Sequence, residues 1–174
     1  MSRVLGLVGS ACGGLESRFR TEIAAPAAAD GWRLAITLTP TAYAWCAHTG
    51  ELALLQELTD LPVRGASRLP GEPRPHPDPE VFLFAPASGN SVAKLALGIA
   101  DNQALTLLGD VLGAPGITIA VAYQTRRDHH PAWRHHLGTL TAAGVRVRPL
   151  PGDWRRALDL LDEPGYSTSG LPAE

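Results

Sequence analysis

The sequence predicts an α/β domain in which a parallel β-sheet lies between two layers of helices. Three observations carry that expectation. Short aliphatic runs of strand length alternate with longer helical stretches. The runs close on turns rich in Gly, Ser or Pro. They are also apolar almost throughout, as strands covered on both faces must be. The chain has 174 residues, 45% apolar and 18% charged. That suffices for one domain with a real core, read as residues 1–162 with a tail at 163–174.

Residues 3–8 form the first strand, ending in Gly9-Ser10. A helix follows over 15–29, with Pro26 expected to end or kink it. Residues 32–38 are the second strand, set between Asp30-Gly31 and Pro40. Residues 41–58 read as helical with a break at His48-Thr49-Gly50. Residues 61–78 are rich in Pro, Gly and Arg without periodicity, a loop long enough to suggest a function. The third strand is Val81-Phe82-Leu83-Phe84, followed by helices over 91–99 and 102–112. A fourth strand at 117–122, a helix at 131–143, a short strand at 145–147 and a short helix at 153–161 complete the pattern.

Composition excludes several functions. A net charge of −2 leaves no global basic footprint for nucleic acid. Two isolated cysteines, Cys12 and Cys46, make neither a disulfide framework nor a four-Cys zinc site. They are read as small buried hydrophobes in a cytoplasmic, reducing setting. No apolar stretch approaches the roughly 20 residues of a membrane helix. The run after Met1 is too short for a secretory signal. His129, His130, His135 and His136 come as adjacent pairs without ligand spacing, so no metal is expected.

Ligands of open parallel sheets bind beyond the carboxyl ends of the strands, so the residues there matter most. After strand one, Gly9, Ser10 and Ala11 lead into a helix. This is either a phosphate turn or a plain tight turn with an N-cap. It has neither the dinucleotide glycine spacing nor the Gly-Lys-Ser/Thr of a P-loop. Thr39 and Thr41 add hydroxyls at the next strand end and favour an anion, with a mononucleotide ahead of a dinucleotide. After strand three, the small residues from Ala85 to Asn90 would let a flat ring approach the backbone, with Ser88 and Asn90 facing its polar edge. The same residues would equally make a tightly packed strand-to-helix corner.

Ala85-Pro86-Ala87-Ser88-Gly89-Asn90-Ser91-Val92-Ala93-Lys94, followed by Gly98-Ile99-Ala100-Asp101-Asn102, resembles the signature of the flavin-containing cysteine decarboxylases. That family includes phosphopantothenoylcysteine decarboxylase and the lantibiotic-type peptidyl-cysteine decarboxylases. The first turn, the Thr39-Pro40-Thr41-Ala42 segment with Trp45, and residues 130–147 fit the same pattern. The resemblance implies a Rossmann-like flavoprotein fold binding FMN. Gly9, Ser10, Ala11, Thr39 and Thr41 would hold its phosphate. Ser88, Gly89, Asn90 and Ser91 would border the isoalloxazine and ribityl chain, and Ala122 would lie against the ring. It further implies oxidative decarboxylation of a peptide or small-molecule cysteine, and a homotrimer or dodecamer.

The departures from the pattern fall on the chemistry. The family's catalytic His position is Glu72 here, and His76 is the nearest candidate base, with His48 behind it. The family's substrate motif aligns with Val121-Ala122-Tyr123-Gln124-Thr125-Arg126-Arg127-Asp128. Gln124 keeps an amide there. Arg126 and Arg127 are either carboxylate or phosphate binders or a solvated pair. No Cys follows Val147, so a flap thiol for a second, reductive step is missing. The alternative function is an FMN-binding relative that does not decarboxylate.

Overall fold

A computed structural model of the chain describes residues 3–126 and 128–163. The expected tail, apart from Glu163, and Arg127 lie outside the described residues. Five strands, β1 (Val4–Gly9), β2 (Arg33–Leu38), β3 (Val81–Ser88), β4 (Thr118–Gln124) and β5 (Arg146–Pro149), form one sheet in the order β2-β1-β3-β4-β5. Every pairing is parallel. The chain runs outward from β1 to β2 and then returns past β1 to β3. That reversal opens a crevice at the carboxyl ends of β1 and β3.

Strand periodicity sorts the side chains into two layers. On one face Leu5, Leu7, Leu34, Ile36, Leu83 and Ala120 pack against α1 (Leu15–Arg18), α2 (Ala25–Ala29), α3 (Pro40–Thr49), α4 (Glu51–Gln56) and a closing 3-10 helix, Trp154–Leu161. On the other, Val8, Phe82, Phe84, Ile119 and Val121 pack against α5 (Gly89–Ala96), α6 (Gln103–Val111) and α7 (Trp133–Ala142). Each fully buried Leu or Phe contributes about 1.5–3 kcal/mol of transfer free energy.

The elements match the expectations with instructive differences. Pro26 does not end the first helix. The turn before it, Phe19–Ala24, is π-helical, and the Ala25 N–H bonds the Arg20 carbonyl. The chain thus passes a residue that has no N–H and crowds the preceding turn. The helical stretch after β2 breaks at Gly50, whose φ of 79° favours glycine. The largest correction concerns strand length. Residues 85–88, read as a loop, belong to β3, and Tyr123 and Gln124 belong to β4, because Ala87 pairs with Tyr123 and Ser88 with Gln124 after a register shift. Irregular pairing hides such residues from a search for unbroken aliphatic runs. No helix among the described residues is long and apolar enough to cross a membrane.

Candidate functional site

The crevice is closed at its base by one serine. Ser10 is 1% exposed. Its N–H and its hydroxyl both donate to the Pro86 carbonyl, at 2.9 and 3.2 Å. Its Oγ accepts the Ser88 N–H at 2.6 Å. The turn after β1 is thereby locked to the end of β3. Both Ser10 donors expected to reach a phosphate are spent inside this lock. The Ala11, Cys12, Gly13 and Gly14 N–H groups have no acceptor among the described residues and are the donors left at the turn.

The turn after β3 starts α5. Ser88 is its N-cap, its Oγ accepting the Ser91 N–H at 3.2 Å and lying 3.0 Å from the Ser91 hydroxyl. Gly89 is buried, and a Cβ there would stand 2.4 Å from the Thr125 Oγ1. Only glycine lets the start of α5 close onto the loop after β4. Thr39, 7% exposed, donates its N–H to the Gly9 carbonyl at 2.9 Å, which sets the start of α3 beside the first turn.

These contacts surround a cleft of about 500 Å³ lined by Ser10, Ala11, Thr39, Thr41, Ser88, Asn90 and Ser91, among others. Of the expected cofactor residues, those seven are brought together. Gly9 and Gly89 lie in the strand and helix that shape the cleft. Ala122 is elsewhere: fully buried, it packs in the core beside Ala120, because β4 continues to Gln124 and carries its cleft-facing end further along. The Thr39, Thr41 and Asn90 side chains line the cleft without a hydrogen-bond partner among the described residues, so they stand available to a ligand.

Five further residues line the cleft: Pro40, Trp45, Lys94, Asp101 and Asn102. Trp45 is 41% exposed and offers an aromatic face. Lys94 pairs with Asp101 across the wall, which holds the Asp101 carboxyl below its ordinary range. Asn102 caps α6 by accepting the Leu105 N–H at 3.2 Å. Lys94, Asp101 and Asn102 fall within the signature at 85–102, and Pro40 and Trp45 within the matching segment after β2, which was the available signal. Periodicity alone gives them no reason to face a cleft.

A smaller cavity of about 300 Å³ adjoins this one, sharing Ala11 and Ser88 and adding Cys12, Gln124 and Arg126. The expected substrate residues Gln124 and Arg126 thus meet beside the first turn. Burial pushes the Cys12 thiol up to about 11, opposed by its hydrogen bond with Ser10. Burial, with Glu51 and Glu16 nearby, pushes Cys46 to about 11 as well. Neither is a thiolate nucleophile near neutral pH. Among the described residues no His, Cys, Asp or Glu cluster could hold a metal.

His76 is not brought to the crevice. It lines another cavity, with Nε2 at 2.7 Å from the Pro62 carbonyl. Burial holds its pKa below the ordinary value, with Arg64 pulling the same way and the Pro62 carbonyl opposing.

No protein-family profile matches the chain. A curated cysteine/cysteine sulfinic acid decarboxylase from an unknown prokaryotic organism is 38% identical over 69 residues, 39% of this chain and 18% of that protein. The match therefore spans less than a fifth of the relative's length. The FMN-dependent cysteine decarboxylase TvaF from thioviridamide biosynthesis superposes with a TM-score of 0.67 at 23% identity, covering 92% of this chain and 99% of that one. The fold is that of the flavoprotein cysteine decarboxylases. HAL3 from Cryptococcus neoformans shares it, with a TM-score of 0.72 at 20% identity over 92% of this chain and 95% of that one. The flavoprotein decarboxylase fold thus accounts for 92% of the chain.

Proposed function

We propose that the cleft at the ends of β1 and β3 binds FMN and that the chain oxidatively decarboxylates a cysteine, either peptide C-terminal or in a small thiol acid, to an enethiol. The observation that carries this reading is the pairing of an open cleft with unspent polar groups. The Ala11 and Gly13 N–H groups and the Thr39 and Thr41 hydroxyls lie near one turn, where a phosphate would accept from them. The small residues Ser88, Gly89 and Ser91 at the start of α5 would leave room for a planar ring, and Asn90 would bond its polar edge. The residues present therefore fit the cofactor.

When bound, FMN supplies the two-electron oxidation of the thiol that makes loss of carbon dioxide easy. The chain's own residues position and enclose. Ser10, through Pro86 and Ser88, keeps the two strand ends in register. Gln124 offers an amide, and Arg126 a guanidinium for the substrate's anionic group. His76 takes no part in holding the cofactor. It lines a separate cavity that shares no lining residue with the crevice, and proton transfer from it is the part of the reading that His76→Asn tests. We also propose self-association, with exposed Trp45, Leu97 and Ile99 as the apolar surface available for it.

A second reading, an FMN-binding protein without decarboxylase activity, is favoured by one observation: the nearest candidate base lies outside the crevice. Incubating flavin-loaded protein with cysteine-terminated peptides separates the two. Decarboxylation appears as a peptide mass lowered by carbon dioxide and two hydrogens. An unchanged peptide beside a retained flavin spectrum supports the second reading.

A further inference from the structure

The long loop between α4 and β3 builds a second cavity, of about 450 Å³, which the crevice does not use. Its floor is Ala35 and Thr37 of β2, its far wall the side of α6 carrying Leu107 and Asp110. Ala35 is 1% exposed yet belongs to neither apolar cluster of the core. Small side chains on β2 leave space on this face that α6 does not fill.

The loop is held as firmly as an element of secondary structure. Arg64 pairs with β2, its N–H on the Ile36 carbonyl at 3.0 Å and its carbonyl accepting the Leu38 N–H at 2.7 Å. Gly65 lies so close to Tyr43 that a Cβ would stand 2.3 Å from the ring. The Val63 N–H bonds the Gln56 side chain at 3.0 Å, and the Leu69 N–H bonds Glu72 at 2.8 Å. Ser67 bonds Gln103 on α6 at 2.9 Å. Pro75, Pro77 and Pro79 stiffen the rim. A cavity with such walls keeps its shape before a ligand arrives, which lowers the cost of binding.

Its charges are unevenly matched. Arg74 is spent on Asp78, at 2.7 and 2.6 Å. Arg64 and Arg68 instead donate to carbonyls, those of Ala66 at 3.2 Å and Glu72 at 2.8 Å. The nearest carboxylate to Arg64 is Glu72, at 3.9 Å. Asp110 stands on the opposite wall without an ion pair among the described residues. A guanidinium has five N–H donors, so both arginines keep donors for an oxyanion, with the Thr37 hydroxyl beside them, while the Ser67 hydroxyl is donated to Gln103. Leu107, Val111 and the prolines supply an apolar lining, and the volume falls in the range of small-ligand sites.

We propose that this cavity is a second binding site, for a small organic oxyanion, a carboxylate or a phosphate ester on an apolar body, gripped by Arg64 and Arg68. His76, the candidate base of the proposed reaction, also lines this cavity, but anion binding by Arg64 and Arg68 does not require bound flavin.

Calorimetric titration with benzoate, phenyl phosphate and uncharged benzyl alcohol tests it. At least one anion binds saturably at one per chain, and benzyl alcohol does not. Arg64→Gln and Arg68→Gln each weaken the anion at least about tenfold, the scale of a charge-assisted hydrogen bond. Preference between benzoate and phenyl phosphate tells carboxylate from phosphate ester. Arg68 is exposed, so its replacement leaves the fold intact even if Arg64→Gln does not. Absence of saturable binding by both anions overturns the proposal. So does affinity unchanged by Arg68→Gln, equal binding of benzyl alcohol, or displacement of the bound anion by FMN, which would place it in the crevice.

Discussion

The two sides of the crevice are built on different principles. On the β1–β3 side, backbone does the work: Ser10 ties Pro86 to Ser88 through three hydrogen bonds, and Gly89 admits Thr125 at a distance no Cβ would allow. On the β4 side, side chains do the work, and they are exposed: Gln124 and Arg126 project from the strand end and the loop after it. A cradle made of backbone tolerates little change, because each small residue is a geometric requirement. A wall made of exposed side chains changes without cost to the fold. Hence the first side matches the signature closely, while the second departs from it at Gln124 and Arg126.

The sharpest way to break this contrast is Gly89→Val. Its Cβ would overlap Thr125, so the start of α5 must shift. Overpacking of this kind costs about 1–3 kcal/mol or more, and FMN retention is expected to fall at least about tenfold by the same arithmetic. Fluorescence titration with FMN and thermal unfolding measure both. Ser10→Ala comes next. It strips the Ser88 N–H of its acceptor, and a buried unsatisfied donor costs about 1–3 kcal/mol, read from a denaturant midpoint. Arg126→Gln sharpens the other half. It leaves stability and flavin spectrum unchanged and raises the KM for an anionic substrate by about tenfold, the value of one charged hydrogen bond.

The smallest effect belongs to His76, which lies outside both halves. Burial holds its pKa below 6.5 in the folded chain, so the unfolded chain binds that proton more readily. Its contribution to stability is complete above 6.5 and is lost as pH falls through the window beneath that value. His76→Asn removes this portion of the acid sensitivity, visible as a flatter dependence of the unfolding midpoint on pH. The same variant shows whether decarboxylation needs the imidazole.

What was legible in the sequence divides along the same line. The strands of the sheet centre were plain because burial on both faces demands unbroken aliphatic runs, as in Leu5 to Val8 and Phe82 to Phe84. The ends of β3 and β4 were not, since Ala85 to Ser88 pair irregularly and look like turn residues. The cleft residues on β1 and β3 were legible as a motif. Their division of labour was not: nothing local reveals that Ser10 spends its donors on a carbonyl 76 positions away. Nor does spacing show that Lys94 meets Asp101 at the cleft wall, or that His76 docks on Pro62 away from the crevice. Long-range contacts decide those, and they exist only once the sheet has formed.

The central claim is that the β1–β3 crevice is a flavin cradle. Titrating the purified chain with FMN and following flavin fluorescence and the visible spectrum tests it most directly, in the wild type and in Gly89→Val. The account predicts saturable binding at one flavin per chain in the wild type, and at least about tenfold weaker binding in the variant. A wild-type chain that binds no FMN, or a variant that binds it equally well, would contradict it.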